Sequence, residues 1–187
     1  LSLVAVILLG VPLAAAADWR LDKDKEGVKV WSRDVAGSEY REYKVELIID
    51  ATVEQTWAAV SSFGAPLAPR VAAQKVVSRS GNNLVVYQRE DCSPLKDREY
   101  TMRVTLSPSN YSLEANVATD LAPSTDGLLR VIVHRHSWAV QAGDSGAIAT
   151  MIMHHDPVDV ADSLYHYGVL GNMIDLRAHV ERVAKTK

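Results

Sequence analysis

Glu99-Tyr100-Thr101-Met102-Arg103-Val104-Thr105-Leu106, then Ser107-Pro108-Ser109-Asn110, then Tyr111-Ser112-Leu113-Glu114-Ala115-Asn116-Val117-Ala118 reads as two strands joined by a turn. Each run alternates apolar and polar side chains, the period of a strand with one buried face. With Leu106 set opposite Tyr111, the residues Tyr100, Met102, Val104 and Leu106 meet Val117, Ala115, Leu113 and Tyr111. The other face pairs Thr101 with Asn116, Arg103 with Glu114 and Thr105 with Ser112. One register sorts every residue into an apolar or a polar face, which specifies an antiparallel hairpin with Arg103 pointing outward.

The same alternation extends to both sides. Glu39–Ile49 puts Tyr43, Val45, Leu47 and Ile49 on one parity and Glu42, Lys44 and Glu46 on the other. Asp50-Ala51-Thr52 then caps a helix from Val53 to about Phe63, with Glu54 in its first turn. Gly64, Pro66 and Pro69 break it. Further strands are predicted at Gln74–Arg79, Leu84–Asp91, Leu128–Val140 and Ala147–His155, with polar or Gly-rich turns between neighbours. The last helix, Ala161–Lys185, carries an apolar stripe of Tyr165, Val169, Met173, Leu176, Val180 and Val183. Gly168 and Gly171 weaken its N-terminal half. That half, facing the Gly64–Pro69 loop, is the part expected to yield if a ligand must pass. The sum is an α+β chain: a long curled antiparallel sheet with one apolar face and a long helix to cover it. Between a curled sheet and its helix a cavity for a hydrophobic ligand is a natural outcome.

Composition agrees. The 187 residues are 48% apolar and 23% charged, and the net charge is −3. That is one globular domain of ordinary composition, without the basic excess of a general nucleic-acid binder. Cys92 is the one cysteine, which excludes an internal disulfide and a multi-cysteine zinc site. Leu1–Ala17 carries no charge and ends in Ala14-Ala15-Ala16-Ala17, so residues 1–17 read as a signal peptide and 18–187 as the mature domain, periplasmic or secreted.

Signatures of catalysis are missing: no nucleophile elbow, no H-E-x-x-H, no P-loop and no dinucleotide fingerprint. No catalytic residue and no cofactor are assigned. His134 and His136 share one strand face, and with His154 they offer a conceivable metal trio; the plainer reading makes them polar histidines on a strand surface, and no metal site is assigned.

Four stretches carry a resemblance. Val28-Lys29-Val30-Trp31-Ser32-Arg33 with Gly37-Ser38, Asp50-Ala51-Thr52 with Val53–Val60, Asp97-Arg98-Glu99-Tyr100, and Ser137-Trp138 followed by His154-His155-Asp156-Pro157 resemble, in order and spacing, the START lipid-transfer family in its bacterial secreted form. The resemblance spans about Trp19–Lys185. It implies a helix-grip fold with an internal hydrophobic tunnel that binds and carries one lipid or sterol-like molecule, without a cofactor, as a monomer in transient contact with membranes. Tunnel-lining candidates are Met102, Val104, Leu113, Ala115, Tyr87, Tyr165, Val169 and Met173. Animal sterol carriers of this kind hold an arginine and an acidic residue inside the tunnel; those positions fall here at Val104 and near Val85, so that polar anchor is absent. A related reading is an enzyme resembling polyketide cyclases and aromatases, with Tyr87, Gln88, Arg89, Glu90 and Arg135 as candidate polar groups. A third is an adaptor module with a filled core.

Overall fold

The computed structural model describes residues 18–64, 66–68, 70–121 and 125–186. The expected signal peptide lies outside them. Ten strands form one sheet: β1 (Arg20–Lys25), β2 (Val28–Arg33), β3 (Glu42–Ile49), β4 (Val71–Ser80), β5 (Asn83–Glu90), β6 (Arg98–Ser107), β7 (Ser112–Val117), β8 (Leu129–Arg130), β9 (His134–Gly143) and β10 (Gly146–His155). Helix α1 (Val53–Val60) follows β3, and α2 (Asp162–Ala184) follows β10.

The strand order is β1-β2-β3-β10-β9-β7-β6-β5-β4, antiparallel throughout, with the short β8 added in parallel to β6. After β3 the chain crosses by α1 to the far edge, then returns strand by strand until β10 lies beside β3. This is the curled sheet with a long C-terminal helix that the sequence calls for. No helix among the described residues is long and apolar enough to cross a membrane.

The local chemistry is legible. Tyr43, Val45, Leu47 and Ile49 are fully buried on one parity of β3. Thr52 caps α1 in a reciprocal box: its hydroxyl accepts from the Gln55 N–H, and the Gln55 side chain accepts from the Thr52 N–H. The β9–β10 turn needs Gly146, whose φ is +139° and whose missing Cβ would stand 2.3 Å from the Ile49 carbonyl oxygen. On α2 the buried side chains are Val169, Met173, Leu176, Val180 and Ala184, close to the expected stripe.

Several expectations are corrected. Helix α1 stops at Val60 rather than Phe63, because Ser61 caps it and Phe63 takes a positive φ of 47°. The β6–β7 hairpin is shifted by two residues: Leu106 faces Leu113, Val104 faces Ala115 and Met102 faces Val117. Tyr111 is the cause. It leaves the strand to end a 3₁₀ turn over Pro108–Asn110 with φ 46°. A shift of two keeps the faces, so Met102, Val104, Leu113 and Ala115 stay inside, but Arg103 now faces Asn116 and pairs with Asp120 at 2.7 Å. The stretch 128–140 divides into β8 and β9. The first two strands, β1 and β2, pair with each other and then with β3, extending the sheet beyond the expected elements.

Candidate functional site

The concave face of the sheet has an apolar floor and a polar end. Met102 and Val104 on β6 and Leu113 and Ala115 on β7 form the floor, each no more than 1% exposed. Val169 and Met173 of α2 join the same core. Of the eight sequence-derived lining residues, these six lie in one core, and Tyr165 packs at its polar end. Tyr87 does not join them. Strand β5 reads Leu84-Val85-Val86-Tyr87; Leu84 and Val86 face inward, so Tyr87 faces outward. There its hydroxyl donates to Glu99 Oε2 at 2.9 Å. The Thr125 N–H and hydroxyl donate to the same carboxylate at 2.5 and 2.7 Å. Burial raises the Glu99 pKa, but these hydrogen bonds outweigh it and hold the carboxyl below its ordinary value.

The polar end is built by strand pairing. Tyr100 lies beside Gln88, His155 beside His134, and His136 beside Ala115 of the floor. Tyr100 donates its hydroxyl proton to Glu90 Oε1 at 2.5 Å and accepts from Gln88 Nε2 at 2.7 Å. The Tyr100 ring lies against His134 with centroids 4.6 Å apart. His134 Nδ1 stands 2.7 Å from His155 Nδ1, and its Nε2 stands 2.9 Å from His136 Nδ1. Tyr165, from the first turn of α2, tilts against His155 at 5.7 Å and closes the cluster.

Burial sets the protonation of this end. It drives His134 well below the ordinary histidine range and His136 down to about 4, with the neighbouring imidazoles adding to the effect. His155 is lowered for the same first reason. Burial, helped by the Glu90 charge, pushes Tyr100 and Tyr165 far up. At neutral pH the end therefore holds three neutral imidazoles and two phenols.

The trio replaces the one read from sequence. Register puts His155, not His154, opposite His134; His154 points to the other face, with Nε2 3.0 Å from Ser38 Oγ. The histidines of β9 are half-buried on the inward face of the sheet rather than on its solvent face. No group of histidine, cysteine and carboxylate side chains among the described residues could hold a metal ion. Of the five candidate polar groups, Gln88 and Glu90 are in the cluster. Tyr87 is outside, Arg89 pairs with Asp97 at 2.6 Å and Arg135 with Glu42 at 3.0 Å. Sequence reasoning missed Tyr100 and His155 as polar members; strand parity relative to His134 was the available signal.

The segment before α2 is fastened from β6. Arg98, 2% exposed, donates to the carbonyls of Pro157, Val158 and Lys96. The Tyr40 hydroxyl donates to the Val160 carbonyl at 2.9 Å, and Tyr40 meets Tyr165 edge-on. The loop facing the N-terminal half of α2 is thus the one containing Gly37–Tyr40. Pro66 lies at the other half of α2, where His179 Nε2 is 3.2 Å from its carbonyl oxygen.

No protein-family model matches the chain, and no curated protein matches it. Solved structures do. A STAR-related lipid transfer protein from Xanthomonas axonopodis superposes with a TM-score of 0.75 at 24% identity, over 87% of this chain and 98% of that one. Human STARD10 superposes with a TM-score of 0.75 at 17% identity, over 89% of this chain and 72% of that one. Zhui aromatase/cyclase from a Streptomyces species superposes with a TM-score of 0.50 at 13% identity, over 76% and 88%. The chain has the helix-grip fold seen in these lipid-transfer structures.

Proposed function

We infer that the protein binds a single hydrophobic molecule, a lipid or sterol-like ligand, between the concave face of the sheet and α2, and carries it between membranes. The observation that supports this reading is the continuous apolar floor of Met102, Val104, Leu113 and Ala115 beneath a helix whose N-terminal half is held mainly by polar ties. The structural neighbours named as lipid-transfer proteins point the same way. Leu164 and Tyr167, 59% and 77% exposed on that half of α2, suit a transient contact with a membrane surface. The uncharged apolar stretch 1–17 fits export to the cell envelope.

The test is transfer of a fluorescent lipid from donor to acceptor vesicles. The reading requires transfer that scales with protein concentration. A second reading, an enzyme like the aromatase/cyclase neighbour, draws on the Glu90–Tyr100–His134 cluster, which has the groups for proton transfer. Chemical change of a captured ligand during that assay would favour it over carriage.

A further inference from the structure

The three histidines have a property that follows from their geometry alone. Each imidazole is neutral, so each has one protonated and one bare nitrogen. His134 uses both nitrogens, one toward His155 and one toward His136. If His134 Nδ1 carries the proton, it donates to His155 Nδ1, and His155 must be protonated on Nε2. His134 Nε2 is then bare and accepts from His136 Nδ1, which leaves His136 Nε2 bare. If His134 carries its proton on Nε2, every role reverses. In both arrangements the trio ends in one donor and one acceptor, at the Nε2 atoms of His136 and His155.

Those two atoms make no hydrogen bond among the described residues, and neither belongs to the few unpaired polar atoms that are fully enclosed. The surrounding charge is also informative. Glu90 is the one charged member of the cluster, and no lysine or arginine bonds to any member. Arg98, the buried cation whose charge reaches His155, turns three of its N–H groups to backbone carbonyls and bonds to none of the three histidines. Arg41, just before β3, is paired at 3.0 Å with Asp162 at the start of α2.

A carboxylate or phosphate ligand would bring an anion toward Glu90, and no cation bonds to the cluster to offset that repulsion, a costly burial. An ammonium cannot accept, so whatever it gains from Glu90 it leaves the donor end of the trio unmet. A hydroxyl both donates and accepts, so it satisfies either end in either tautomeric arrangement. His136 stands beside Ala115, where the polar end meets the apolar floor, so an apolar body on the floor brings its polar tip to the trio. We propose that the His134–His136–His155 trio selects an uncharged, hydroxyl-bearing apolar ligand over its anionic or purely hydrocarbon counterparts. This rests on the binding reading above and adds the ligand class.

The experiment uses matched probes, oleyl alcohol, oleate, oleylamine and octadecene, competing with a fluorescent naphthylamine dye on the delipidated protein. The alcohol should displace the dye about tenfold more effectively than oleate or octadecene, the effect of one good hydrogen bond. His136→Phe keeps ring volume and removes one end; it should reduce that preference to threefold or less, roughly, while octadecene binds as before. His136→Gln keeps a donor and an acceptor and should retain the preference. Should His136→Phe fail to fold, the series on the native protein decides alone. Oleate equal to or better than the alcohol, or a preference that survives in folded His136→Phe, overturns the inference and leaves ligand binding standing. Failure of all probes, octadecene included, overturns the binding reading and this inference with it.

Discussion

Arg98 Nη2, at the start of β6, donates to the carbonyl of Val158 at 2.8 Å across 60 residues of chain. Val158 and Asp159 are consecutive non-glycine residues with φ of 55° and 56°, the bend that turns β10 into α2. A β-branched residue at positive φ is strained, and such a conformation persists only where its surroundings over-determine it. The buried guanidinium supplies that constraint with two donors, to the Pro157 and Val158 carbonyls, while a third holds it to the Lys96 carbonyl.

Arg98→Lys keeps the charge but not the fork. One ammonium cannot reach the three carbonyls in the same geometry, so buried acceptors lose their partners. Unfolding in urea should show a loss of about 2–4 kcal/mol. Release of a bound fluorescent lipid should accelerate as the bend loosens. Stability equal to that of the native protein would show that the clasp is not what holds the bend.

Gly168 and Gly171 lie in the N-terminal half of α2, the part expected to yield if a ligand is to pass. A Cβ at either position meets nothing within 4 Å, so alanine fits without a clash. The double variant Gly168→Ala with Gly171→Ala should stabilise the helix by up to roughly 2 kcal/mol. Vesicle-to-vesicle transfer should slow while equilibrium affinity stays nearly the same. Faster melting, or unchanged transfer in a stabilised protein, would place the moving wall elsewhere, the Gly37–Tyr40 loop being the alternative.

The buried imidazoles give a signed pH dependence. His136 titrates near 6.5 when unfolded and at about 4 when folded. Between those values the unfolded chain binds more protons, so stability rises with pH across that window. Its contribution is fully present above about 6.5 and lost as pH falls toward 4, on the order of 3 kcal/mol for this shift. His134 and His155 shift in the same direction. Melting temperature measured from pH 7 to pH 4 should fall, and His136→Phe should flatten the profile. A profile that is flat in the native protein would contradict neutral burial of the trio.

How much the sequence foretold depended on how cleanly each strand alternates. In β3 and β6 one parity is apolar and the other polar, and the apolar faces were assigned correctly, whereas Glu42, Glu99 and Thr101 on the polar parity are buried as well. In β5 both parities are apolar around Leu84–Tyr87, so alternation offered no choice and Tyr87 was placed on the wrong side. The hairpin register slipped by two because Tyr111, apolar and in phase with its strand, looks like a strand residue while it closes the turn. The polar end was half visible. His134 and His136 stood out on one parity, but their partner depended on a single residue of register at the β9–β10 turn. The Arg98 clasp joins residues 60 apart through backbone carbonyls, which no side-chain pattern records.

Arg103 and Val104 test the face assignment directly. Arg103 is exposed and its partner is Asp120, so Arg103→Ala should leave both stability and ligand affinity close to native. Val104 lies in the floor, and Val104→Trp should fill the ligand's place at an overpacking cost of about 1–3 kcal/mol.

Native mass spectrometry of the protein as purified, beside Val104→Trp, addresses the central claim most directly. The account predicts one hydrophobic molecule bound to each native chain, and an empty Val104→Trp chain that is still folded. A native chain without a ligand, or a Val104→Trp chain that keeps the same ligand at the same occupancy, would contradict it.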